Sequence, residues 1–414
     1  MTQIKSNIPK IRFKEFSWEW EEKIFWDEYN FILTNSYSRD MLNYEWWEIK
    51  NIHYWDIHTK FKTHFKIQNE KVPFINNNID LSKLDNEKLC IEKDLVIADA
   101  SEDYKDIWKT IELIDLNNEK LIAWLHTYIA RPNNNIASWF WWYLMNTYNI
   151  HKQVMFYAVW SKVLGVSKWN LNRLNINLPQ LPEQQKIASF LSLVDEKIEN
   201  IKEKKKSLEE YKKGVMQKIF NVGNENIRSL RFKDESGGDF GEWEEKKLGE
   251  ILEYEQPTKY IVDSTEYKNN YKIPVLTAWK TFILWYTNEI NWIFKAKNNP
   301  VIIFDDFTTS KQFVNFDFKV KSSAMKILKN INNKVSNIKY IFELMWTIKF
   351  NLWDEHKRFW ISEYSEVKVF LPSLPEQQKM ADFLSGIDEK IESVGSELEK
   401  VEEFKKGLLQ GMFV

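Results

Sequence analysis

The sequence predicts an α+β protein built as a tandem repeat, in which two domains of mixed helix and strand are each followed by one long helix. Two observations support this prediction. A segment of 40 residues occurs twice with a heptad pattern of apolar residues, and a shorter phrase containing tryptophan opens each preceding stretch. We expect the two long helices to pair as an antiparallel coiled coil, which gives the chain a pseudo-two-fold repeat.

The opening phrase is EWEEKIFWDEY at residues 19–29 and EWEEKKLGEILEY at residues 242–254. Aligned on E-W-E-E-K, Trp20 corresponds to Trp243, whereas Trp26 corresponds to Gly249. The stretches that follow share little beyond their beginnings and ends. We therefore predict four segments, which are a first variable domain at 1–180, a helix at 181–220, a second variable domain at 221–373 and a helix at 374–414.

Each variable domain is predicted to mix strands with short helices. Apolar and β-branched runs such as DLVIADA and NPVIIFDDF indicate strands, and the Asn- and Asp-rich stretches between such runs indicate turns. Helical periodicity occurs near residues 139–158 and 336–350. Both domains are thus expected to be compact and of the α+β class.

The repeated segment predicts a long helix in both copies. Both begin with LPEQQK, so that Pro182 and Pro375 lie where the first helical turn tolerates proline. Apolar residues then recur at steps of three and four over about five heptads, which indicates a coiled coil. The apolar positions are Ile187, Leu191, Val194, Ile198, Ile201, Leu208, Val215 and Ile219 in the first copy, and Met380, Leu384, Ile387, Ile391, Val394, Leu398, Val401, Leu408 and Met412 in the second.

Lysines interrupt these apolar seams. Lys205 interrupts the first seam, and Lys212 and Lys405 occupy one matching place in the two copies. The sequence Asp-Glu-Lys also occurs in both helices, at 195–197 and 388–390, where we expect surface ion pairs within each helix. An antiparallel pair should carry the two variable domains at opposite ends.

Composition restricts the class of protein. The formal net charge is −2, so the whole chain does not suggest a polyanionic partner, although a local basic surface is possible. The single Cys90 excludes a disulfide framework. No apolar run approaches the roughly 20 residues that span a bilayer, and we expect a cytoplasmic protein.

Tryptophan is in excess and glycine is scarce, with 20 Trp against 11 Gly. Typical usage gives glycine about 7% of residues, or roughly 29 here. The shortfall disappears if every tryptophan except Trp20 and Trp243 stands for glycine. UGA codons specify Trp in some bacterial codes and Gly in others, so we hypothesise that the surplus tryptophans are mistranslated glycines. Genuine tryptophans forming stacking platforms are the alternative.

No catalytic motif is found in the sequence. There is no G-x-G-x-x-G after a strand, no P-loop and no H-E-x-x-H. His53, His58 and His64 lie close together, but their spacing matches no familiar ligand set and we predict no metal site. The sequence also lacks a methyl-donor motif and a nuclease-like carboxylate cluster. We therefore predict that the chain is not an enzyme.

Polar clusters in predicted loops of both variable domains are candidate nucleic-acid contacts. Hydroxyl groups, amides and cations on loops can meet phosphates, and Gln, Arg, Lys and Asn can reach base edges. Ordinary solvated loops are the alternative for any one cluster. The candidate DNA-binding residues are Tyr54, His58, Thr59, Lys60, Lys62, Lys162, Ser167, Lys168, Lys280, Thr281, Thr308, Thr309, Ser310, Lys311, Gln312, His356, Lys357 and Arg358.

The order of these features resembles the specificity subunit of type I restriction–modification systems. The matching residues are LPQLPEQQK at 178–186, LPSLPEQQK at 371–379, the heptad helices that follow them, and the phrase at 241–250. The resemblance covers essentially the whole chain. It implies two target-recognition domains that each read one half of a split site on double-stranded DNA, and an antiparallel coiled coil that sets the spacing.

The resemblance also implies partners and the residues that would meet them. Two methyltransferase subunits would dock on the helices, and the restriction–translocase subunits would join through those. S-adenosylmethionine, ATP and magnesium are expected on these partners, and no cofactor is expected in this chain. The implied partner-binding residues are Pro182, Gln184, Gln185, Ile198, Ile201, Pro375, Gln377, Gln378, Ile391 and Val394.

Simple geometry is consistent with this function. A helix of about 35 residues is roughly 50 Å long, and one turn of B-DNA is about 34 Å. Two different variable domains held by such a helix pair should recognise an asymmetric, bipartite DNA site. Two alternatives remain, namely a coiled-coil interaction scaffold without DNA specificity and a stand-alone DNA-modifying enzyme.

Overall fold

A computed structural model describes residues 7–45, 47–62, 64–82, 84–101, 107–160, 164–166, 170, 173–220, 230–278, 281–348, 360 and 363–414, with the side chains of 159, 160 and 164 excepted. The chain divides into two compact units. Unit 1 combines Met1–Lys202 with Glu397–Val414, and unit 2 is Glu203–Ser396. Each unit therefore contains one variable domain and parts of both long helices.

Unit 1 is built from short strands and helices. Its strands are β1 (Glu21–Ile24), β2 (Tyr29–Ile32), β3 (Leu42–Asn43), β4 (Ile49–Ile52), β5 (His64–Lys66), β6 (Phe74–Ile75), β7 (Leu95–Ala98), β8 (Ala100–Ser101), β9 (Thr110–Asp115), β10 (Lys120–Ala123), β11 (Thr127–Pro132), β12 (Val159–Trp160), β13 (Leu164–Gly165) and β14 (Asn175–Leu178). Its short helices are α1 (Tyr54–Thr59), α2 (Phe140–Met145) and α3 (Tyr148–Tyr157), and the long helix α4 (Leu181–Phe220) begins here.

The sheets of unit 1 are mixed. A five-stranded sheet has the order β2-β11-β7-β9-β5, and a four-stranded sheet has the order β10-β4-β6-β3. Three strands, β12-β13-β8, and the pair β1-β14 form two smaller sheets. Most neighbours are antiparallel, but β10 with β4 and β5 with β9 are parallel. The mixed α+β class predicted from sequence is confirmed.

Unit 2 follows the same plan with fewer strands. Its strands are β15 (Glu244–Lys247), β16 (Leu252–Glu255), β17 (Ile273–Leu276), β18 (Ile283–Thr287), β19 (Val301–Phe304), β20 (Lys311–Val314), β21 (Lys319–Val320), β22 (Lys326–Asn330) and β23 (Lys368–Leu371), in sheets of order β15-β23, β16-β22-β19-β20 and β18-β17-β21. Its helices are α5 (Leu248–Ile251), α6 (Ile338–Met345) and the start of α7 (Leu374–Met412).

The long helices α4 and α7 run antiparallel in both units. In unit 1 the start of α4 packs with the end of α7, because Val194 and Ile198 share a core with Leu408 and Met412. In unit 2 the end of α4 packs with the start of α7, because Val215 and Ile219 share a core with Met380, Leu384 and Ile387. The predicted antiparallel pairing is therefore confirmed.

The repeat extends further into the variable domains than the sequence suggested. The pair β1–β14 places Glu21 opposite Leu178, and β15–β23 places Glu244 opposite Leu371, which are equivalent positions. Helices α2 and α6 also correspond, and both end in Leu-Met-x-Thr. The threonine hydroxyl donates to the leucine carbonyl in each, at 2.8 Å in unit 1 and 2.7 Å in unit 2. The strand pairs lie at the beginnings and ends of the variable domains, whereas α2 and α6 are equivalent elements inside them.

The tryptophans divide between two environments. Trp20 and Trp243, the two that the glycine hypothesis excepts, are both buried, at 2% and 8% exposure. Three of the surplus tryptophans have a left-handed backbone, with φ of 71° at Trp108, 75° at Trp139 and 52° at Trp292. Exposed indoles occur at Trp18, Trp47, Trp55, Trp285, Trp292 and Trp346, whereas Trp108, Trp141, Trp142 and Trp360 are buried.

Buried indole nitrogens without a hydrogen-bond partner occur in both groups of tryptophans. Within the described residues they belong to Trp108, Trp124, Trp141 and Trp142 among the surplus tryptophans, and also to Trp20. Trp46 and Trp279 lie outside the described residues. Among the described residues, the surplus indoles are therefore exposed at six positions and buried at four.

Across the part of the chain that the structure describes, no helix is both long enough and apolar enough to cross a bilayer. The same residues contain no group of three or more His, Cys, Asp or Glu side chains that could hold a metal ion.

Candidate nucleic-acid interface

The hairpin of β19 and β20 contains five of the predicted DNA contacts, three in its turn and two at the start of β20. Asp305 organises this turn, since its carboxylate accepts hydrogen bonds from the Phe307 amide at 2.9 Å and the Thr308 hydroxyl at 2.6 Å. Thr309 has a left-handed backbone with φ of 58°. The side chains of Thr308, Ser310 and Gln312 are exposed, but the Thr308 hydroxyl is already used in the hydrogen bond with Asp305.

Lys311 is in a different position from the one that sequence suggested. It lies on β20, is only 5% exposed, and its Nζ sits 4.5 Å from the centre of the Trp346 ring. Burial lowers the pKa of Lys311 to about 8. A lysine in this position packs inside unit 2, so it is not available as a surface phosphate contact.

The cluster at residues 53–62 forms a short helix rather than the predicted loop. Helix α1 begins after His53, whose Nδ1 accepts a hydrogen bond from the Trp55 amide at 3.2 Å. The Thr59 hydroxyl donates to the Trp55 carbonyl, and the His58 ring lies within hydrogen-bond distance of the Ala100 carbonyl. The loop prediction was wrong here because a histidine nitrogen caps the helix, a role that serine or aspartate more often fills.

A buried carboxylate holds two cations at the surface beside α1. Asp56 is fully buried, and its Oδ1 pairs with Arg39 at 2.8 Å and with Lys60 at 2.9 Å. The hydrogen bond with Asp56 raises the pKa of Lys60. Lys60 also donates to the hydroxyl of exposed Tyr44 at 3.4 Å. Lys62, near the end of the cluster, is exposed.

These residues continue into a cleft rich in amides. Lys71 lies 4.7 Å from the centre of the Tyr44 ring. A neighbouring cleft is lined by four asparagines, Trp47 and one carboxylate, Glu45. Asparagine can contact adenine through two hydrogen bonds, while arginine and lysine meet phosphates or guanine. We name this set the amide–cation surface, and it comprises Arg39, Asn43, Tyr44, Trp47, Lys60, Lys71, Asn76, Asn77 and Asn78.

Unit 2 exposes a second surface of different composition. Lys321 donates to the Tyr267 hydroxyl at 3.1 Å, and Lys268 lies 5.5 Å from the centre of the Tyr271 ring. The Lys268 amide donates to the Tyr286 carbonyl, which ties this segment to β18. We name this set the lysine–tyrosine surface, and it comprises Tyr267, Lys268, Tyr271, Lys272 and Lys321.

The lysine–tyrosine surface contains three lysines, and exposed Glu266 is its neighbour in the sequence. Within the described residues, none of its three lysines forms an ion pair with a carboxylate. The alternation of lysine and tyrosine in EYKNNYK, at 266–272, is a sequence signal that could have identified it. The amide–cation surface has no comparable signal, because its members come from several separate short segments between residues 39 and 78.

The remaining predicted contacts are placed as follows. Thr281 is exposed just before β18, and its carbonyl accepts a hydrogen bond from the Thr277 hydroxyl at 2.6 Å. Tyr54 is partly buried and stacks on Trp124 with ring centres 5.5 Å apart. The other predicted contacts lie outside the described residues, and they are Lys162, Ser167, Lys168, Lys280, His356, Lys357 and Arg358.

The LPEQQK motif at the start of α4 is largely internal. Glu183 pairs with Arg12, with 2.7 Å between Oε1 and Nε. Gln184 is buried, donating to the Pro179 carbonyl and accepting from the Ala137 amide next to α2. Pro182 and Gln185 are exposed.

The second copy of LPEQQK repeats this arrangement. Glu376 pairs with Arg231 at 3.0 Å and accepts a hydrogen bond from the Trp243 indole at 3.1 Å. Gln377 is buried and accepts from the Asn337 amide at 2.8 Å, as Gln184 does from Ala137. Pro375 and Gln378 are exposed. The glutamate and the first glutamine thus attach the long helix to its variable domain.

The predicted partner-binding residues therefore have two kinds of environment. Ile198, Ile201 and Val394 are buried in the helix pair, and Ile391 packs partly buried against the same core as α6. Together with Gln184 and Gln377 they are internal to the chain. The residues of this set that a partner could contact directly are Pro182, Gln185, Pro375 and Gln378.

The fold defines a class of protein, namely a tandem pair of mixed domains carried on two antiparallel helices. The family described as "Type I restriction modification DNA specificity domain" matches residues 43–210 and 241–403, which is most of the chain. The chain belongs to this family. It is a specificity subunit of the type I restriction–modification class, which implies recognition of a DNA target within a complex of several subunits.

Particular relatives agree with this assignment. The chain is 50% identical over 133 residues to the Escherichia coli type I restriction enzyme EcoR124I/EcoR124II specificity subunit, a match that covers 32% of this chain and 33% of that protein. It is 28% identical over 313 residues to a putative type I restriction enzyme MjaX specificity subunit of Methanocaldococcus jannaschii, covering 70% and 71% of the two chains.

The fold is also similar to solved structures. A type I restriction–modification S subunit from M. genitalium superposes with a TM-score of 0.62 at 14% identity, covering 98% of this chain and 99% of that one. A chain from a type I system studied for complex assembly and conformational transition has a TM-score of 0.51 at 13% identity, covering 94% and 96%. At these identities the likeness concerns the fold.

Proposed function

We propose that this chain recognises an asymmetric, bipartite sequence in double-stranded DNA, with each unit contacting one half. The observation that carries the proposal is that two equivalent units of a DNA specificity chain expose different polar surfaces. The amide–cation surface offers asparagine amides beside Arg39 and Lys60, whereas the lysine–tyrosine surface offers lysines interleaved with aromatic rings. Different side chains on equivalent scaffolds imply different half-sites.

In this proposal the long helices set the separation of the two half-sites. Helix α4 contains 40 residues, so it extends for about 60 Å, nearly two turns of B-DNA. A central stretch of DNA would then be left without base contacts. The exposed predicted contacts Thr281, Ser310 and Gln312 are further candidates in unit 2.

The chain itself would be non-catalytic. Two methyltransferase subunits would dock on it, one per repeat, and restriction–translocase subunits would join through them. S-adenosylmethionine, ATP and magnesium would then be bound by those partners. Because the target is chromosomal or invading DNA, we place the complex in the cytoplasm.

The test is a duplex-binding assay with the chain co-expressed with its methyltransferase. A randomised pool of duplexes should yield one bipartite sequence. Replacing Lys268 and Lys272 together by alanine should weaken binding and reduce the slope of log K against log salt by about 2, since each phosphate contact contributes about one.

The matched control replaces Lys204 and Lys206, two exposed lysines of α4, by alanine. It changes net charge equally and should leave the salt slope unchanged. Equal effects of the two double variants would assign the result to overall charge, and would count against the lysine–tyrosine surface.

An interaction scaffold without DNA specificity is the alternative function. It predicts that the same randomised pool gives no enriched sequence, although the methyltransferase still binds. The two exposed surfaces favour DNA recognition, because their arginine, lysine and asparagine side chains are those that meet phosphates and base edges.

A further inference from the structure

The lysines that interrupt the heptad seams have specific partners. Lys212 of α4 lies 2.7 and 2.9 Å from the two carboxylate oxygens of Asp388 on α7. At the equivalent place in unit 1, Lys405 of α7 lies 2.5 Å from Asp195 on α4. The expectation that these aspartates form surface ion pairs within their own helices was wrong. Both cross to the partner helix.

In unit 2 a third element joins this crossing. Glu343 of α6 has a completely buried side chain, and its carboxylate lies 2.9 Å from Lys212. Lys339, one turn earlier on α6, lies 2.9 Å from Glu343 and 3.4 Å from Asp388. The charges of two lysines and two carboxylates therefore cancel in this cluster. The cluster links the variable domain to both long helices.

In unit 1 the third element is uncharged. Tyr143 occupies the place on α2 that Glu343 occupies on α6, and its hydroxyl donates to Asp195 at 2.7 Å. Lys405 lies 5.0 Å from the centre of the neighbouring Trp142 ring. The same three elements meet as in unit 2, but through one ion pair and a neutral hydroxyl.

Such a junction is intolerant of displacement. Burial lowers the pKa of Lys212, but the hydrogen bond with Asp388 and the charge of Glu343 outweigh this, so its pKa is raised and the charged form is favoured. A slip of one heptad would move the lysine about 10 Å from its partner. The buried carboxylate of Glu343 would then lose Lys212 and keep only Lys339 as a partner. A buried charge that loses its partner is strongly destabilising.

We propose that these two junctions, Lys212–Asp388–Glu343 and Lys405–Asp195–Tyr143, are positioning sites that fix how each recognition domain sits on its helix pair, and thereby the DNA spacer length that the subunit accepts. The spacer part rests on the DNA function proposed above. The residues act through the placement of the domain and do not themselves touch DNA.

The first experiment measures spacer preference in the co-expressed complex. The bipartite target found by selection is synthesised with its spacer shortened or lengthened by one base pair. Glu343→Gln should reduce the preference for the best spacer over its neighbours by at least tenfold. Glu210→Gln, an exposed change on α4, should leave that preference as in the wild type.

The second experiment uses thermal unfolding and needs no DNA. Exchanging the charges in unit 1, by Asp195→Lys with Lys405→Asp, should recover most of the stability lost in Asp195→Lys alone, because the Tyr143 hydroxyl can accept as well as donate. Exchanging the charges in unit 2, by Lys212→Asp with Asp388→Lys, should not recover the lost stability. The new Asp would face Glu343, and the new Lys would face Lys339.

The two readouts separate the two proposals. Equal recovery by both charge exchanges would overturn the junction model, whatever the DNA result. A wild-type complex that selects no duplex would instead remove the DNA function and leave the unfolding result to decide the junctions. A folded Glu343→Gln complex with unchanged spacer preference would overturn the positioning role.

Discussion

Single residues show where sequence patterns are informative and where burial overrides them. Lys311 lies in a polar run and looks like a surface cation, yet it is buried against Trp346. Arg39 has no motif around it, yet it is held at the surface by buried Asp56. Residue type alone does not reveal these environments, because each depends on residues far away in the sequence.

The left-handed tryptophans allow a direct test of the glycine hypothesis. Trp292 is 68% exposed with φ of 52°, a backbone that costs a side chain about 1–2 kcal/mol and glycine almost nothing. Trp292→Gly should therefore leave the free energy of unfolding unchanged or raise it by about 1 kcal/mol, as measured by denaturant unfolding.

Trp20 provides the control for this substitution. It is 2% exposed and packs against Phe140 and Phe413, so Trp20→Gly should cost about 3–5 kcal/mol. If Trp292→Gly were as destabilising as Trp20→Gly, the hypothesis that Trp292 stands for glycine would be refuted.

Lys311 predicts a pH dependence of stability. Its pKa is about 8 when folded and about 10.4 when unfolded, so the unfolded chain binds more protons between these values and stability rises with pH across that window. Lys311→Met should remove this rise. The measurement is the difference in unfolding free energy between wild type and variant at pH 7 and pH 9.5.

The expected difference has a definite sign. At pH 7 the variant should have the advantage, because the buried charge is gone, and at pH 9.5 that advantage should shrink. A constant difference across the window would show that Lys311 is not desolvated.

At the scale of elements, the repeated helix was the most predictable part of the fold. Its heptads identified Ile198 and Val394 as seam residues, and both are buried. The short helix α1 was missed, since six residues capped by His53 leave no periodic signal. The internal role of Gln184 and Gln377 was also missed, because a repeated motif does not reveal which of its side chains are buried.

The helix pair should be sensitive to a buried charge at one face only. Ile198→Asp places a carboxylate at a position with 6% exposure, and burying it without a partner should cost several kcal/mol. Leu193→Asp is the matched control, since Leu193 on the same helix is 64% exposed. Circular dichroism during thermal unfolding should show a large drop in the midpoint for the first variant alone.

A comparable loss in Leu193→Asp would mean that the exposed face of α4 is covered by a partner. Ile391→Asp should have an intermediate effect, because Ile391 is only partly buried in the equivalent position.

At the scale of the whole molecule, the tandem order was evident from sequence, because a 40-residue repeat of high identity does not arise by chance. The equivalence of α2 and α6 was not evident, since only a few identities such as Leu144 with Leu344 remain. Their common backbone role is preserved by hydrogen bonds to Gln184 and Gln377. The two candidate DNA-binding surfaces could be found only in part, because one is assembled from several short segments that carry no common motif.

The repeat predicts the composition of the assembled complex. Since Pro182, Gln185, Pro375 and Gln378 are exposed at equivalent places, two methyltransferase subunits should bind per chain. Native mass measurement of the co-expressed complex should give that ratio. A one-to-one complex with no larger species, at saturating methyltransferase, would contradict it.

The contact between the two ends of the chain has a consequence for the timing of protein synthesis. The Ile11 amide donates to the Gly411 carbonyl, and Phe413 packs against Trp20 in the core of unit 1. The core of unit 1 therefore cannot close until the segment that contains Phe413 has left the ribosome. At 5–20 residues per second, the roughly 200 residues between them take about 10–40 s to make. Unit 2 is one continuous segment with its own core and can finish folding first, so the apolar core residues of unit 1 stay incompletely covered during that time.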